Sequence, residues 1–209
     1  MNTNNKKNLN NKYKKIEEEI RIDVFNKLEE SSIKCLYKDK CTYEHTLRVK
    51  EYCIMIGNKV NLNSQELDSL AIAAEFHDIG KIEIDDKVLL KKSNLTDEEY
   101  EYIKKHTELG YDLMKYLVDK NIALAIKHHH ERLNGTGYPD RLKGNEINEF
   151  AKIIAVADSY DAMVSDRPYH KGITSKEAIN ELEKNTSTLF EEKYVIAMKE
   201  ILIELKELE

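Results

Sequence analysis

Apolar residues recur at three- and four-residue spacing through almost the whole chain from His45 onward, and this period constrains the fold more than any other feature. Leu47, Ile54 and Val60 predict one helix, and the run from Leu67 to Ala74 predicts the next. No alternating run is long enough for a sheet, and only two prolines occur. We therefore predict an all-α domain of about seven to nine helices.

Capping boxes mark two of the predicted helix starts. Thr96 precedes Glu99 in LTDEEY, and Thr174 precedes Glu177 in ITSKEA. In this motif each side chain accepts a hydrogen bond from the backbone N–H of the other residue in the first turn. We expect helices to begin directly after Thr96 and Thr174.

The first 40 residues differ from the rest of the chain. Residues 1–11 are rich in Asn and Lys and nearly lack apolar side chains, which predicts a disordered tail. An apolar residue then recurs every fourth position, which predicts an amphipathic helix; these residues are Ile16, Ile20, Val24 and Leu28. This helix could pack on the main domain or pair two copies into a homodimer. We place the main domain at residues 41–209.

Charge and cysteine usage exclude several classes of function. The 209 residues carry a formal net charge of −6, which disfavours a polymeric nucleic-acid partner but not a small anionic ligand. The three cysteines form no CxxC pair, and the sequence has neither a signal peptide nor a long apolar run. We expect a cytoplasmic protein with reduced thiols and no membrane partner.

Histidine and aspartate occur where the apolar pattern predicts burial. His77 and Asp78 follow the apolar stretch AIAAEF, His106 shares the apolar face of its predicted helix, and Asp158 lies among alanines. Burying such groups is costly unless they are paired, and a divalent cation suits both imidazole and carboxylate. Taken singly, His77 and Asp78 could instead cap a helix, and His106 could be an ordinary core histidine.

Five separate segments contribute potential ligands of this kind: His45, His77 with Asp78, His106, the triplet 128–130, and Asp158. Mixed imidazole and carboxylate ligands without a thiolate cluster favour Fe, Mn or a similar octahedral ion over a structural zinc. With an aspartate that can bridge, the set predicts two metal ions that share a water.

The order of motifs HTLRV, HDIGK, HTELG, HHERLNGTGYPD and VADSYDAMVSDRPY resembles the HD-GYP family of HD-domain metal-dependent phosphohydrolases, over about residues 43–200. The resemblance implies an all-α HD-domain bundle with a C-terminal extension that contains the GYP turn. It implies a binuclear or trinuclear metal centre in a catalytic domain. It also implies hydrolysis of the bacterial second messenger cyclic di-GMP to linear pGpG and often to GMP.

Matched motif by motif, the resemblance assigns roles to individual residues. Asp78 matches the residue that bridges the metals, Lys81 the lysine on the scissile phosphate, and Tyr138 and Arg167 the residues that engage guanine and phosphate groups. Gly137 bends the GYP turn so that Tyr138 faces the substrate. The matched metal ligands are His45, His77, Asp78, His106, His129, His130 and Asp158.

The chain departs from the family pattern at a few positions. Cys41 stands where members with a third metal carry glutamate, so we expect two divalent ions, Fe or Mn. Arg141 and His170 replace the residues usual near the substrate, which leaves another cyclic or linear nucleotide open as the substrate. The remaining alternative is a noncatalytic module that binds a cyclic dinucleotide or a protein. Such a module is expected to have lost metal ligands, and here all of the matched ligands are present.

Overall fold

The computed structural model describes residues 40–91, 93–166 and 171–208, together with positions 22, 23, 26 and 30. Among these residues the regular secondary structure is helical and only two isolated β-bridges occur, so the predicted all-α class is confirmed. None of the helices found there is both long and apolar enough to cross a membrane. The helices are α1 Lys40–Lys59, α2 Ser64–Glu75, α3 Asp86–Leu89, α4 Asp97–Lys104, α5 His106–Met114, α6 Lys120–His128, α7 Glu149–Val164, α8 Ser175–Lys184 and α9 Glu192–Glu204.

The predicted tail and amphipathic helix of residues 1–40 lie almost wholly outside the described residues. The same holds for Arg167 and for the side chain of Cys41. Those assignments therefore stay predictions.

Helix α7 lies at the centre of the fold. Every residue from Ala151 to Ala157 is buried, which is the pattern of a helix covered around most of its circumference. Helices α1, α6, α8 and α9 pack against it, and α1 also contacts α2 and α9. The large apolar core therefore surrounds the helix that carries Asp158.

Most predicted helix positions are confirmed, with two differences. Thr96 and Thr174 form the predicted capping boxes. In α1, however, Leu47 is 41% exposed, whereas the stripe of Val49, Cys53 and Ile56 is fully buried. The buried face of α1 is therefore the stripe of Val49, Cys53 and Ile56, and not the face that Leu47 indicated. Helices α2, α7 and α9 pack against α1 and cover this stripe.

The single helix predicted around His106 is wrong. Helix α4 ends at Lys104 and α5 begins at His106, with Lys105 between them. His106 nevertheless is buried as predicted. The break places this histidine two residues after the end of α4, as the first residue of α5.

Gly80 allows two parts of the chain to lie in direct backbone contact. The 3-10 turn Ile79–Glu83 follows the His77–Asp78 pair and packs on α5. A Cβ atom on Gly80 would lie 1.9 Å from the carbonyl oxygen of His106 and 2.5 Å from the amide nitrogen of Gly110. Both distances are shorter than a van der Waals contact. Only glycine therefore permits this approach, which brings His77 and Asp78 next to His106.

We predict that Gly80→Ala destabilises the protein by about 3 kcal/mol or more, since backbone on both sides must move. Gly144→Ala is the matched control, because Gly144 has φ of 51° but open space around the added methyl group. It should cost about 1 kcal/mol. Denaturant unfolding followed by circular dichroism measures both, and equal losses would contradict the close-approach argument.

Candidate metal centre

Three histidines lie just beyond the C-terminal ends of helices. His77, His106 and His129 follow the last residues of α2, α4 and α6 by one or two positions. The last carbonyl groups of a helix receive no hydrogen bond from a following turn of the same helix. Each imidazole donates a hydrogen bond to one of these carbonyl oxygens. The Nδ1 atoms lie 2.7, 2.8 and 2.7 Å from the carbonyl oxygens of Ala74, Ile103 and Ile126. A carbonyl oxygen only accepts, so in each ring Nδ1 carries the proton and Nε2 keeps its lone pair.

These lone pairs face one another in the interior. The Nε2 atoms of His106 and His129 are 3.3 Å apart. With both Nδ1 atoms protonated, two neutral rings present lone pairs to each other and cannot form a hydrogen bond. Nε2 of His77 and Oδ1 of Asp78 are also buried without a hydrogen bond. Buried polar atoms normally have partners, and a cation between these atoms would supply one.

The predicted ligands form two clusters that Asp78 connects. His45, His77 and Asp78 make one cluster and His106, His129 and His130 the other, with ligand atoms within 4.8 Å of one another in each. Oδ2 of Asp78 lies 3.3 Å from Nε2 of His77, whereas Oδ1 lies 3.3 Å from Nε2 of His106. The two oxygens of this carboxylate therefore face different clusters.

His45 is oriented by side chains instead of by a carbonyl group. Its Nδ1 lies 2.6 Å from Oδ2 of Asp161, and its Nε2 lies 3.1 Å from Oδ1 of Asp158. The two aspartates are one turn apart on α7, so α1 and α7 meet at this point. Burial alone would lower the pKa of His45, but Asp158 and Asp161 outweigh it and raise the pKa to about 9.

The other groups of the site have pKa values that suit metal ligands. Burial is the main cause that lowers the pKa of His106 to about 4 and of His130 to about 3, and it holds that of His129 well below its ordinary value. Burial opposes ionisation of Asp78, but Lys81 and the nearby histidines keep its pKa well below the ordinary value. His106, His129 and His130 are thus neutral beside the ionised Asp78, which is the protonation state that metal binding requires.

The GYP turn lies against the second cluster. The ring of Tyr138 stacks on His130, with centroids 4.8 Å apart and planes 29° from parallel. The added methyl group of an alanine at Gly137 would lie 2.4 Å from the amide nitrogen of Arg132, so the backbone approach requires glycine. The buried carboxylate of Glu131 accepts the N–H groups of Asp140 and Leu142, at 2.7 and 3.0 Å. These contacts fix the turn relative to the two histidines that precede it.

Lys81 and His128 lie beside the two clusters and belong to neither. The Lys81 ammonium lies 2.5 Å from Oδ2 of Asp78, and its side chain is 28% exposed, so it lies between the buried carboxylate and the surface. His128 lies outside both clusters, where Nε2 contacts Oδ2 of Asp140 at 3.0 Å.

Sequence reasoning missed three buried or half-buried supporting residues: Arg48, Glu131 and Asp161. Two of them had a local signal. Asp161 follows Asp158 by three residues on one helix, and Arg48 follows His45 by three, so each shares a face with a predicted ligand. Glu131 lies within the HHER motif, but the loop that it holds cannot be read from its spacing.

A family model described as HD domain matches residues 29–193. The chain belongs to the HD domain family. The predicted resemblance to the HD-GYP proteins is confirmed by curated relatives. The chain is 37% identical over 180 residues to a cyclic di-GMP phosphodiesterase of Thermotoga maritima, which is 84% of this chain and 47% of that protein. It is 34% identical over 169 residues to a 3′3′-cGAMP-specific phosphodiesterase of Vibrio cholerae, which is 78% of this chain and 31% of that one.

A solved structure agrees on the fold of this HD domain. An HDG"Y"P protein from Bdellovibrio bacteriovorus superposes with a TM-score of 0.65 at 20% identity, over 77% of this chain and 52% of that chain. This chain spans less than half the length of each of the two curated relatives.

We predict that the metal-free protein is most stable near pH 6.5 within the range from pH 5 to 9. The pKa values of His106 and His130 lie below the ordinary 6.5, so the unfolded chain binds more protons than the folded one as the pH falls below 6.5, and stability is lost. The raised pKa of His45 has the opposite sign: its stabilisation is full below 6.5 and is lost as the pH rises through about 9. Melting temperatures of chelator-treated protein test this, and a melting temperature that still rises from pH 6.5 to 9 would contradict it.

Proposed function

We propose that this HD-GYP domain is a metal-dependent phosphodiesterase that hydrolyses cyclic di-GMP to linear pGpG, to GMP, or to both. The observation that carries the proposal is the convergence of lone-pair-bearing Nε2 atoms on the two oxygens of Asp78. Such an arrangement is costly in a metal-free interior and suits a pair of divalent cations.

The proposed cofactors are two divalent ions, Fe or Mn, because the ligands are imidazole nitrogens and carboxylate oxygens without thiolates. His45, His77 and Asp158 would hold one ion, His106, His129 and His130 the other, and Asp78 both. When bound, such ions would lower the pKa of water and would place positive charge beside the phosphoryl oxygens.

The proposed role of Lys81 is electrostatic. Its ammonium lies beside Asp78, at the exposed side of the clusters, where a bound phosphate would lie. There it would stabilise the charge that develops on the phosphoryl oxygens and donate a proton to the leaving 3′-oxygen. The outward exposure of its side chain supports this role.

Tyr138 and Arg167 are the proposed recognition residues. One face of Tyr138 covers His130, so a guanine base would stack on the opposite face. The ammonium of Lys104 lies over the same ring, 5.4 Å from its centroid, and adds positive charge there. For Arg167 the support is the motif match alone. We also propose a cytoplasmic location, and pairing of two copies through the N-terminal helix.

The alternative substrates are other cyclic dinucleotides. A relative of similar identity is named for 3′3′-cGAMP, and Arg141 departs from the pattern usual near the substrate. A noncatalytic binding module is the remaining alternative, which the complete ligand set disfavours.

The function is tested by incubating anaerobically purified, Mn- or Fe-loaded protein with cyclic di-GMP, 3′3′-cGAMP, cyclic di-AMP and linear pGpG. Chromatography should show cyclic di-GMP consumed fastest, with pGpG or GMP formed. Asp78→Ala should lose metal and activity together while its helical circular dichroism is kept. Binding of cyclic di-GMP without turnover in the metal-loaded protein would favour the noncatalytic module instead.

We predict that Lys81→Ala lowers kcat by roughly 100-fold, the magnitude typical for loss of one charge-stabilising group. Its metal content should stay at the wild-type value, since Lys81 is not a ligand. Lys87→Ala is the matched control, because Lys87 is an exposed lysine six residues farther along the chain. Initial rates and metal analysis of the three proteins measure the effect, and an unchanged kcat in Lys81→Ala would exclude the role.

A further inference from the structure

Four of the five histidines in the two clusters are oriented by hydrogen bonds of two different kinds. His77, His106 and His129 each donate from Nδ1 to a backbone carbonyl oxygen that belongs to a helix end. His45 donates instead to the side chain of Asp161. A carboxylate is a stronger acceptor than a carbonyl group, and it makes the imidazole a more basic ligand.

Asp161 is held in place by three further groups. Its side chain has no exposed surface. Nε and Nη2 of Arg48 lie 2.5 and 3.0 Å from its two oxygens, and the Ser165 hydroxyl donates to Oδ2 at 3.1 Å. Nη2 of Arg48 also donates to the Ser165 oxygen at 2.9 Å. The guanidinium fork keeps the buried carboxylate charged and fixes its plane.

From this geometry we infer that Asp161 is a positioning residue for the metal subsite of His45, Asp158 and Asp78. It fixes the His45 tautomer that leaves Nε2 free, and it adds negative charge behind this ring alone. The subsite of His106, His129 and His130 has no carboxylate behind it among the described residues. Loss of Asp161 therefore weakens one metal subsite and spares the other. This inference rests on the proposed metal-dependent function.

A purely structural role for Asp161 makes a different prediction. The Arg48–Asp161 pair joins α1 to α7, so it also stabilises the packing of these helices. If that were its whole contribution, variants of Asp161 and of Arg48 would lower the melting temperature alike and leave metal affinity unchanged. Arg48→Lys separates the two roles, because it keeps a positive charge near Asp161 but loses the planar fork.

The experiment is a stepwise Mn²⁺ titration of the full chain against a competing chelator, with wild type, Asp161→Asn, Arg48→Lys and Ser165→Ala. We expect wild type to bind two ions. In Asp161→Asn the affinity for one ion should fall by roughly 10- to 100-fold, while that for the other stays near wild type. Arg48→Lys should lower the affinity for that ion less than Asp161→Asn does, because the Asp161 carboxylate remains, and Ser165→Ala should keep both affinities near wild type.

A second readout follows the ring itself. In ¹⁵N NMR spectra of the metal-free wild type above pH 9, where the His45 ring is neutral, Nδ1 alone should carry the proton. Asp161→Asn should show a mixture, because the amide can donate to Nδ1 as well as accept from it. This measurement stays informative if Asp161→Asn is less stable, provided that circular dichroism shows it folded.

The outcomes separate the inference from the function on which it rests. Two ions bound equally tightly by wild type and Asp161→Asn, with one His45 tautomer in both, would overturn the positioning role and leave the proposed function standing. Equal loss of both ions in Asp161→Asn would also overturn it, since only one subsite should change. A wild-type protein that binds no Mn²⁺ or Fe²⁺ would contradict the proposed function itself.

Discussion

The site depends on the hydrogen bonds by which His77, His106 and His129 donate from Nδ1 to the last carbonyl groups of three helices. These bonds settle the tautomer of each ring, because a backbone carbonyl oxygen can only accept. They also place the rings of His77 and His129 beside the negative ends of α2 and α6, which favours a cation. The ends of α2, α4 and α6 must therefore meet, and the close backbone approach at Gly80 is part of what makes them meet.

This arrangement has a cost in stability that another part of the fold offsets. The facing lone pairs of His106 and His129, and the buried atoms of His77 and Asp78 that lack hydrogen bonds, destabilise the metal-free state. The apolar core lies around α7, whose buried stretch from Ala151 to Ala157 leads directly to Asp158. One segment of α7 thus packs in the apolar core, and the next segment carries the ionisable groups of the site. Binding of the proposed metal ions would therefore be coupled to folding.

The sequence predicts best the features that depend on near neighbours. The period of apolar residues predicts helices, Thr96 and Thr174 predict two starts, and the predicted ligands His45 to Asp158 do come together. The break at Lys105 could not be read, because no Gly or Pro lies within four residues of it and the apolar period runs across it. The pairing of His45 with Asp161 depends on α1 and α7, which are 116 residues apart in the chain at that contact. Such a contact follows from packing and not from spacing.

The metal centre and the proposed recognition turn belong to one rigid segment, which limits where substrate preference can change. Glu131 binds the N–H groups on both sides of Arg141 and follows His130 directly, so a change in its side chain would disturb a ligand. Arg141 itself is exposed and has φ of 55°. The Glu131 contacts hold the backbone on both sides of Arg141 and do not involve the Arg141 side chain. A change of the Arg141 side chain would therefore alter the exposed surface of the proposed recognition turn while leaving the backbone contacts of Glu131 in place.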